Sequence, residues 1–268
     1  MIGPNSPLRN LPVGIGAEQA FFFDGMRHAA ELCELSYNRL TKQLSELSHA
    51  AEKDEIPTSY AAFYLDAWAF VDSCDKYVGL WIKQPQASTF PTHFSPETVR
   101  KALQPIRQIR NVSDHLASNK NRLLQLNSAS FGILSWITFF QRNPPRTKTY
   151  AIYPGVLRDN VKLEFSMPES IDQITNDIGH VSLKAAKHKA NLTDAYKAIR
   201  NLTAFLERSL RHSLGGKKLS KEEVFPCDLI AKADVHMQRN VTSPNKGFNR
   251  TPESSGPAKP GESGGGAG

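Results

Sequence analysis

Apolar residues recur at helical spacing through most of the first 83 positions. From Ala17 to about Lys53, Phe21, Met26, Ala29, Cys33, Tyr37, Leu40, Leu44 and Leu47 return at steps of three to five, which predicts one long helix with a single inward stripe. The segment "DEIP" breaks it, and Thr58 or Ser59 is placed to cap a second helix running to about Lys83. There the stripe is Phe63, Ala67, Phe70, Cys74, Tyr77 and Trp81. Tyr60, Tyr64, Trp68 and Val71 widen it, so burial on more than one side is expected. Asp66, Asp72, Ser73 and Asp75 are its polar members, and any that is buried needs a partner. A third helix opens at "SPE": Ser95 as N-cap, Pro96 at the first helical position, Glu97 in the first turn. Pro105 falls inside it and should kink or interrupt it. Beyond that proline Ile106, Ile109, Val112, Leu116 and Leu123 form the inward face.

The period then changes. "SFGILSWITFF" and "KTYAIYPG" are rich in β-branched and aromatic residues, and "RDNVKLEFSMP" follows a Pro-Gly turn. These predict two or three short antiparallel strands within about 130–165, with "QRNPPRT" as a long, stiff connection. A last helix is expected from near Ser170, and through His180 to about Leu214. "NLTD" at Asn191–Asp194 reads as a fresh cap within it, and the glycines of "LGGKK" end it. The expected fold class is therefore mainly α: an antiparallel helical bundle with a short antiparallel β insertion. Residues 1–16 are expected to be loosely ordered, 17–238 to form one domain, and the Ser/Pro/Gly-rich 239–268 to be a disordered tail.

Composition narrows the class. With 40% hydrophobic and 22% charged residues in 268 positions, most of the chain has enough apolar content to fold. No run of about 18 apolar residues occurs, so no membrane span is expected. The first residues lack the basic region, apolar block and small-residue cleavage site of a signal peptide. Cys33, Cys74 and Cys227 are odd in number and show no CxxC spacing. Neither a disulfide framework nor a metal site is expected, and a reducing cytoplasm is the simplest setting. The charge is uneven. Residues 180–250 hold 14 Lys/Arg against 6 Asp/Glu, a surplus that exceeds the +7 of the whole chain and leaves the rest nearly neutral. Lys184, Lys187, Lys189, Lys197, Arg200, Arg208 and Arg211 are read as a basic helix, either a solvated face or a track for an RNA backbone.

One short stretch carries candidate chemistry: "RNVSDH", residues 110–115. On a helix Asn111 and His115 share a face, and Arg110 shares its face with Asp114. One reading is an Arg110–Asp114 ion pair on a wet surface. The other is phosphodiester chemistry: His115 moves a proton near neutral pH, Arg110 stabilises charge on phosphorus, and Asn111 orients either partner. That chemistry needs no cofactor.

The stretch resembles the R-x4–6-H motif of the HEPN superfamily, in which Asn often follows the Arg. Arg110, Asn111 and His115 match it position by position, and His115 is the only one of eight histidines with an Arg at that spacing. The resemblance implies a helical bundle and a metal-independent RNA endonuclease or RNA-binding protein of a defence, toxin–antitoxin or RNA-processing type. It also implies pairing into a homodimer or with an antitoxin-like protein. The rival class is a non-catalytic helical interaction or regulatory protein.

Overall fold

The computed structural model describes residues 1–118, 120–121, 129–142, 145–155, 177–215, 220–225, 228, 230 and 232. The expected strand "RDNVKLEFSMP", the helix start near Ser170, Leu123, Cys227 and the tail 239–268 lie outside the described residues. Among them the chain is mainly helical, with one four-stranded antiparallel sheet.

Helix α1 spans Ala17–Ala51 and α2 spans Ala61–Lys83. They run antiparallel: the Gln19 and Gln84 side chains bond at 2.9 Å at one end, and Gln43 donates to Asp66 at 2.8 Å toward the other. Met26, Cys33, Leu40 and Leu44 of α1 meet Phe70, Cys74, Tyr77 and Trp81 of α2 in the interior, all fully buried. The expected stripes are thus present, with one exception. Phe21, counted as inward, is 69% exposed, and Phe23 takes the interior place. Asp66 is 3% exposed and is satisfied by Arg39 at 3.3 Å as well as by Gln43, which answers the need for a partner. The α2 cap differs slightly from expectation. Tyr60 occupies the cap position, and the Ser59 hydroxyl accepts from the Ala61 N–H at 3.3 Å.

Helix α3, Pro96–Ala102, starts as its residues dictate, with the Ser95 hydroxyl accepting from the Thr98 N–H. Leu103 then leaves helical geometry, and α4, Gln104–Asp114, begins with Pro105 in its first turn. The proline interrupts the helix because it has no N–H to donate and its ring excludes the preceding turn.

Strand β1 is Ile133–Arg142 and β2 is Pro145–Ile152. They pair from Leu134↔Ile152 to Arg142↔Pro145, so most of the segment "QRNPPRT" expected as an open loop is strand, and residues 143–144 lie outside the described residues. Pro145 is tolerated because it opens β2, where a missing donor costs least. The larger departure is at 178–191. The helix expected from His180 is replaced by β3, Ile178–Ala185, and β4, His188–Asn191, with the turn at Ala186–Lys187. The sheet order is β2-β1-β3-β4. Val181, Leu183, Ala185 and Ala190 are buried while Lys187 and Lys189 are exposed. Burial does not alternate cleanly, since Ser182 between Val181 and Leu183 is also buried, and the Ala and Lys residues here favour helix in isolation. Pairing with β1 decides the outcome.

Helix α5 is Leu192–Ser213 and begins at the cap read from "NLTD": Asn191 accepts from the Asp194 N–H at 3.1 Å. Tyr196 stacks on Tyr37 at 4.2 Å, Thr203 donates to the Tyr77 hydroxyl at 3.2 Å, and Phe205 packs on Trp81, Phe90 and Phe94. The sheet joins the helices through a buried polar knot. Ser48 donates to Leu44 O at 2.8 Å, so its oxygen accepts from Trp136 Nε1 at 2.9 Å and from Thr138, 2.6 Å away.

The first residues are not loosely held. Ile2, Leu8 and Leu11 are buried, Arg9 pairs with Glu31, and Pro12 bridges Val224. The compact unit runs Met1–Asp228, so residues 1–16 belong to it. The N-terminal segment is short of regular structure, and its apolar side chains supply the anchoring that its backbone period does not reveal.

Candidate functional site

Ile106 and Ile109 bury one side of α4; Asn111 lies on the opposite, exposed side, while Arg110 is half-buried at the edge of the packed side, next to Asp114. Arg110 reaches across to α2. Its Nε donates to Asp72 Oδ1 at 3.1 Å and lies 3.6 Å from Asp75 Oδ2, while Nη1 donates to Asp114 Oδ2 at 2.8 Å. The hydrogen bond to Asp72 and the surrounding carboxylates hold its proton still more firmly than usual, against the effect of partial burial. For Asp72, burial works to raise the pKa, but bonds from Lys76, 2.6 Å away, and Arg110 outweigh it and leave the carboxyl below its ordinary range. Arg110 thus ties α4 to α2 with three carboxylates around one guanidinium.

His115 sits just past the last helical residue of α4, as its C-cap with φ −115° and ψ 25°, and its side chain is exposed. Asn111 is exposed one turn earlier. The Arg110–Asp114 ion pair read from the sequence is formed. Among the described residues Arg110 makes no hydrogen bond to Asn111 or His115.

The seven basic residues do not lie on one helix. Lys184 is partly buried on β3, Lys187 is exposed in the β3–β4 turn, and Lys189 is exposed on β4. Lys197, Arg200, Arg208 and Arg211 lie on α5 and are all exposed. At 100° per residue these four fall within an arc of about 80°, and 14 residues of rise spread them over roughly 21 Å. No ion pair to any of the four occurs among the described residues. Arg200 lies over the Tyr196 ring at 5.9 Å, which places an aromatic face on the same helix.

A further histidine stands out by its backbone. His180 has φ +53° in β3, where His180 and Val181 together oppose Trp136 of β1 as a bulge. Its Nδ1 faces Asn191 Nδ2 at 3.3 Å. Asn191 Nδ2 can only donate, so His180 Nδ1 accepts and Nε2 carries the proton. Burial lowers its pKa, with Asp194 opposing and Lys189 and Lys197 reinforcing. The sequence holds no signal for this residue, because a bulge exists only once β1 and β3 are paired.

Among the described residues no group of three or more His, Cys, Asp or Glu is arranged to hold a metal ion, and no helix is long and apolar enough to cross a membrane. No protein-family model, curated protein or solved structure matches the chain.

Proposed function

We propose that this protein binds RNA through the outer face of α5 and the adjoining β3–β4 hairpin. The observation that carries the reading is the row of four exposed cations on α5 with no carboxylate paired to them among the described residues. Unpaired charge on one face raises the local concentration of a polyanion and releases its counterions on contact. Lys187 and Lys189 extend the same chemistry on the hairpin.

Cleavage at a HEPN-like centre is the second reading, favoured by the exposed imidazole of His115. It requires Arg110 to exchange Asp72, Asp75 and Asp114 for a phosphate. Asp72 and Asp114 already hold that guanidinium, with Asp75 3.6 Å away, and this competition favours binding without cutting. A helical-bundle description, a cytoplasmic setting and an antitoxin-like partner belong to this second reading.

The test separates the two. Single-stranded RNA is titrated with the protein and followed by fluorescence anisotropy, and the same RNA is incubated with it in EDTA and run on a gel. Binding that is lost in Lys197→Gln/Arg200→Gln/Arg208→Gln/Arg211→Gln, with the RNA intact, supports the first reading. Metal-independent cleavage abolished by His115→Ala supports the second. Absence of both activities leaves a protein–protein role.

A further inference from the structure

The connection between α1 and α2, residues 52–60, doubles back on α1. Asp54 takes φ +59°, a left-handed position that Asp tolerates, and the Glu55 N–H then donates to Ala50 O at 3.0 Å. The turn leaves a cleft with three sides. Ile56 and Pro57 of the connection form one, Leu47 and Ala50 of α1 the second, and Ala62 and Phe63 of α2 the third. Its volume is about 610 Å³, within the range that takes small organic molecules. Leu47 and Phe63 are buried, whereas Ile56 is 66% exposed, an apolar wall standing in water.

The polar side chains of the cleft are Gln43, Glu46 and Glu55, and none brings a positive charge. The Gln43 amide nitrogen donates to Asp66 at 2.8 Å, so the oxygen is what that side chain has left to offer. Glu46 and Glu55 are exposed. Lys42 lies 4.0 Å from Glu46 as a loose surface pair, and Glu55 has no ion pair among the described residues. Glu52 behaves differently: Lys148 and Tyr150 of β2 bond it at 2.6 and 2.8 Å. What the cleft offers is therefore acceptors, two of them negatively charged and set beside apolar walls, an arrangement that concentrates cations.

We propose that this cleft binds a small organic cation, a primary ammonium on a short aromatic or alkyl body. The ammonium, with three donors, meets the Glu46 and Glu55 carboxylates, and the body covers Leu47, Ile56, Pro57 and Phe63. The same charges repel a phosphate backbone, so the cleft works independently of the basic face of α5.

Isothermal titration calorimetry of the full chain tests this with 2-phenylethylamine, its neutral counterpart 2-phenylethanol and the anion 3-phenylpropanoate. The expected result is saturable one-site binding of the amine, at least tenfold tighter than the alcohol, and no binding of the anion. Glu46→Gln/Glu55→Gln should bring the amine down to the affinity of the alcohol with the melting temperature little changed, since both carboxylates start in water. Ala62→Trp fills the cleft and keeps both carboxylates, and should abolish binding of amine and alcohol alike with circular dichroism unchanged. An amine that fails to saturate by about 10 mM would overturn the proposal. Equal affinity for amine and alcohol would do the same, as would amine binding indifferent to either variant. A Lys/Leu heptapeptide that binds where the amine does not would make the cleft a protein-docking site and the small-molecule assignment wrong.

Discussion

Replacing the four cations of α5 by glutamine is the most informative perturbation of the RNA reading. Each exposed cation that meets a phosphate of a single strand adds about 0.7 to the slope of log K against log salt. Four contacts from Lys197, Arg200, Arg208 and Arg211 give a slope near −2.8, and a rise from 50 to 200 mM salt then weakens binding by about 50-fold. The span of roughly 21 Å allows all four to act on one strand. Arg208→Gln alone should flatten the slope by about 0.7, and the fourfold variant should leave only what Lys187 and Lys189 contribute. These side chains bury little, so the melting temperature should move by no more than a surface substitution usually causes, about 0.5 kcal/mol. Anisotropy titrations of a labelled 12-mer at five salt concentrations measure every quantity. A slope that stays the same in the fourfold variant, with affinity unchanged, would place the RNA elsewhere and refute the assignment to α5.

Four other outcomes follow from the geometry. Arg110→Met should loosen α4 from α2 and lower the melting temperature while leaving RNA affinity unchanged; a selective loss of RNA binding with normal melting would make Arg110 a phosphate ligand instead. Ser48→Ala leaves buried Trp136 Nε1 and Thr138 without their shared acceptor and should cost about 1–3 kcal/mol in urea unfolding; a cost near zero would mean that water replaces the hydroxyl. His180→Gly removes a left-handed backbone penalty of about 1–2 kcal/mol, so it should be neutral or stabilising despite losing the Asn191 contact, and a clear destabilisation would show that the imidazole itself is structural. Asp72 and Asp228 are held below the ordinary carboxylate range, Asp228 chiefly by its bond from Arg27. Their contribution is therefore complete above the unfolded carboxylate pKa, near 4, and is lost as pH falls below it through the lower folded values. Acid unfolding of Asp72→Asn/Asp228→Asn should be shallower in that window, and an identical acid limb would remove these groups as its cause.

Much of the helical half is legible in local pattern. Three-four spacing marks α1 and α2, Ser95 with Pro96 opens α3, Pro105 divides α3 from α4, and Asn191 starts α5, because each signal acts within one or two turns of the backbone. Residues 178–191 are not legible this way. Ala- and Lys-rich chain is content as helix until β1 offers it an edge, and that edge is about 40 residues distant in sequence. The same limit applies to the sites. Arg110 and Asp114 can be paired from their spacing, but Asp72 and Asp75 reach the same guanidinium only because α4 packs on α2. The chemistry suggested by "RNVSDH" is therefore a property of neighbouring residues, whereas the occupation of its arginine is a property of packing. So too on α1: the spacing of Phe21, Leu32 and Leu35 is written in the chain, but that they face water while Phe23 and Cys33 face the interior was decided by where α2 and α5 dock.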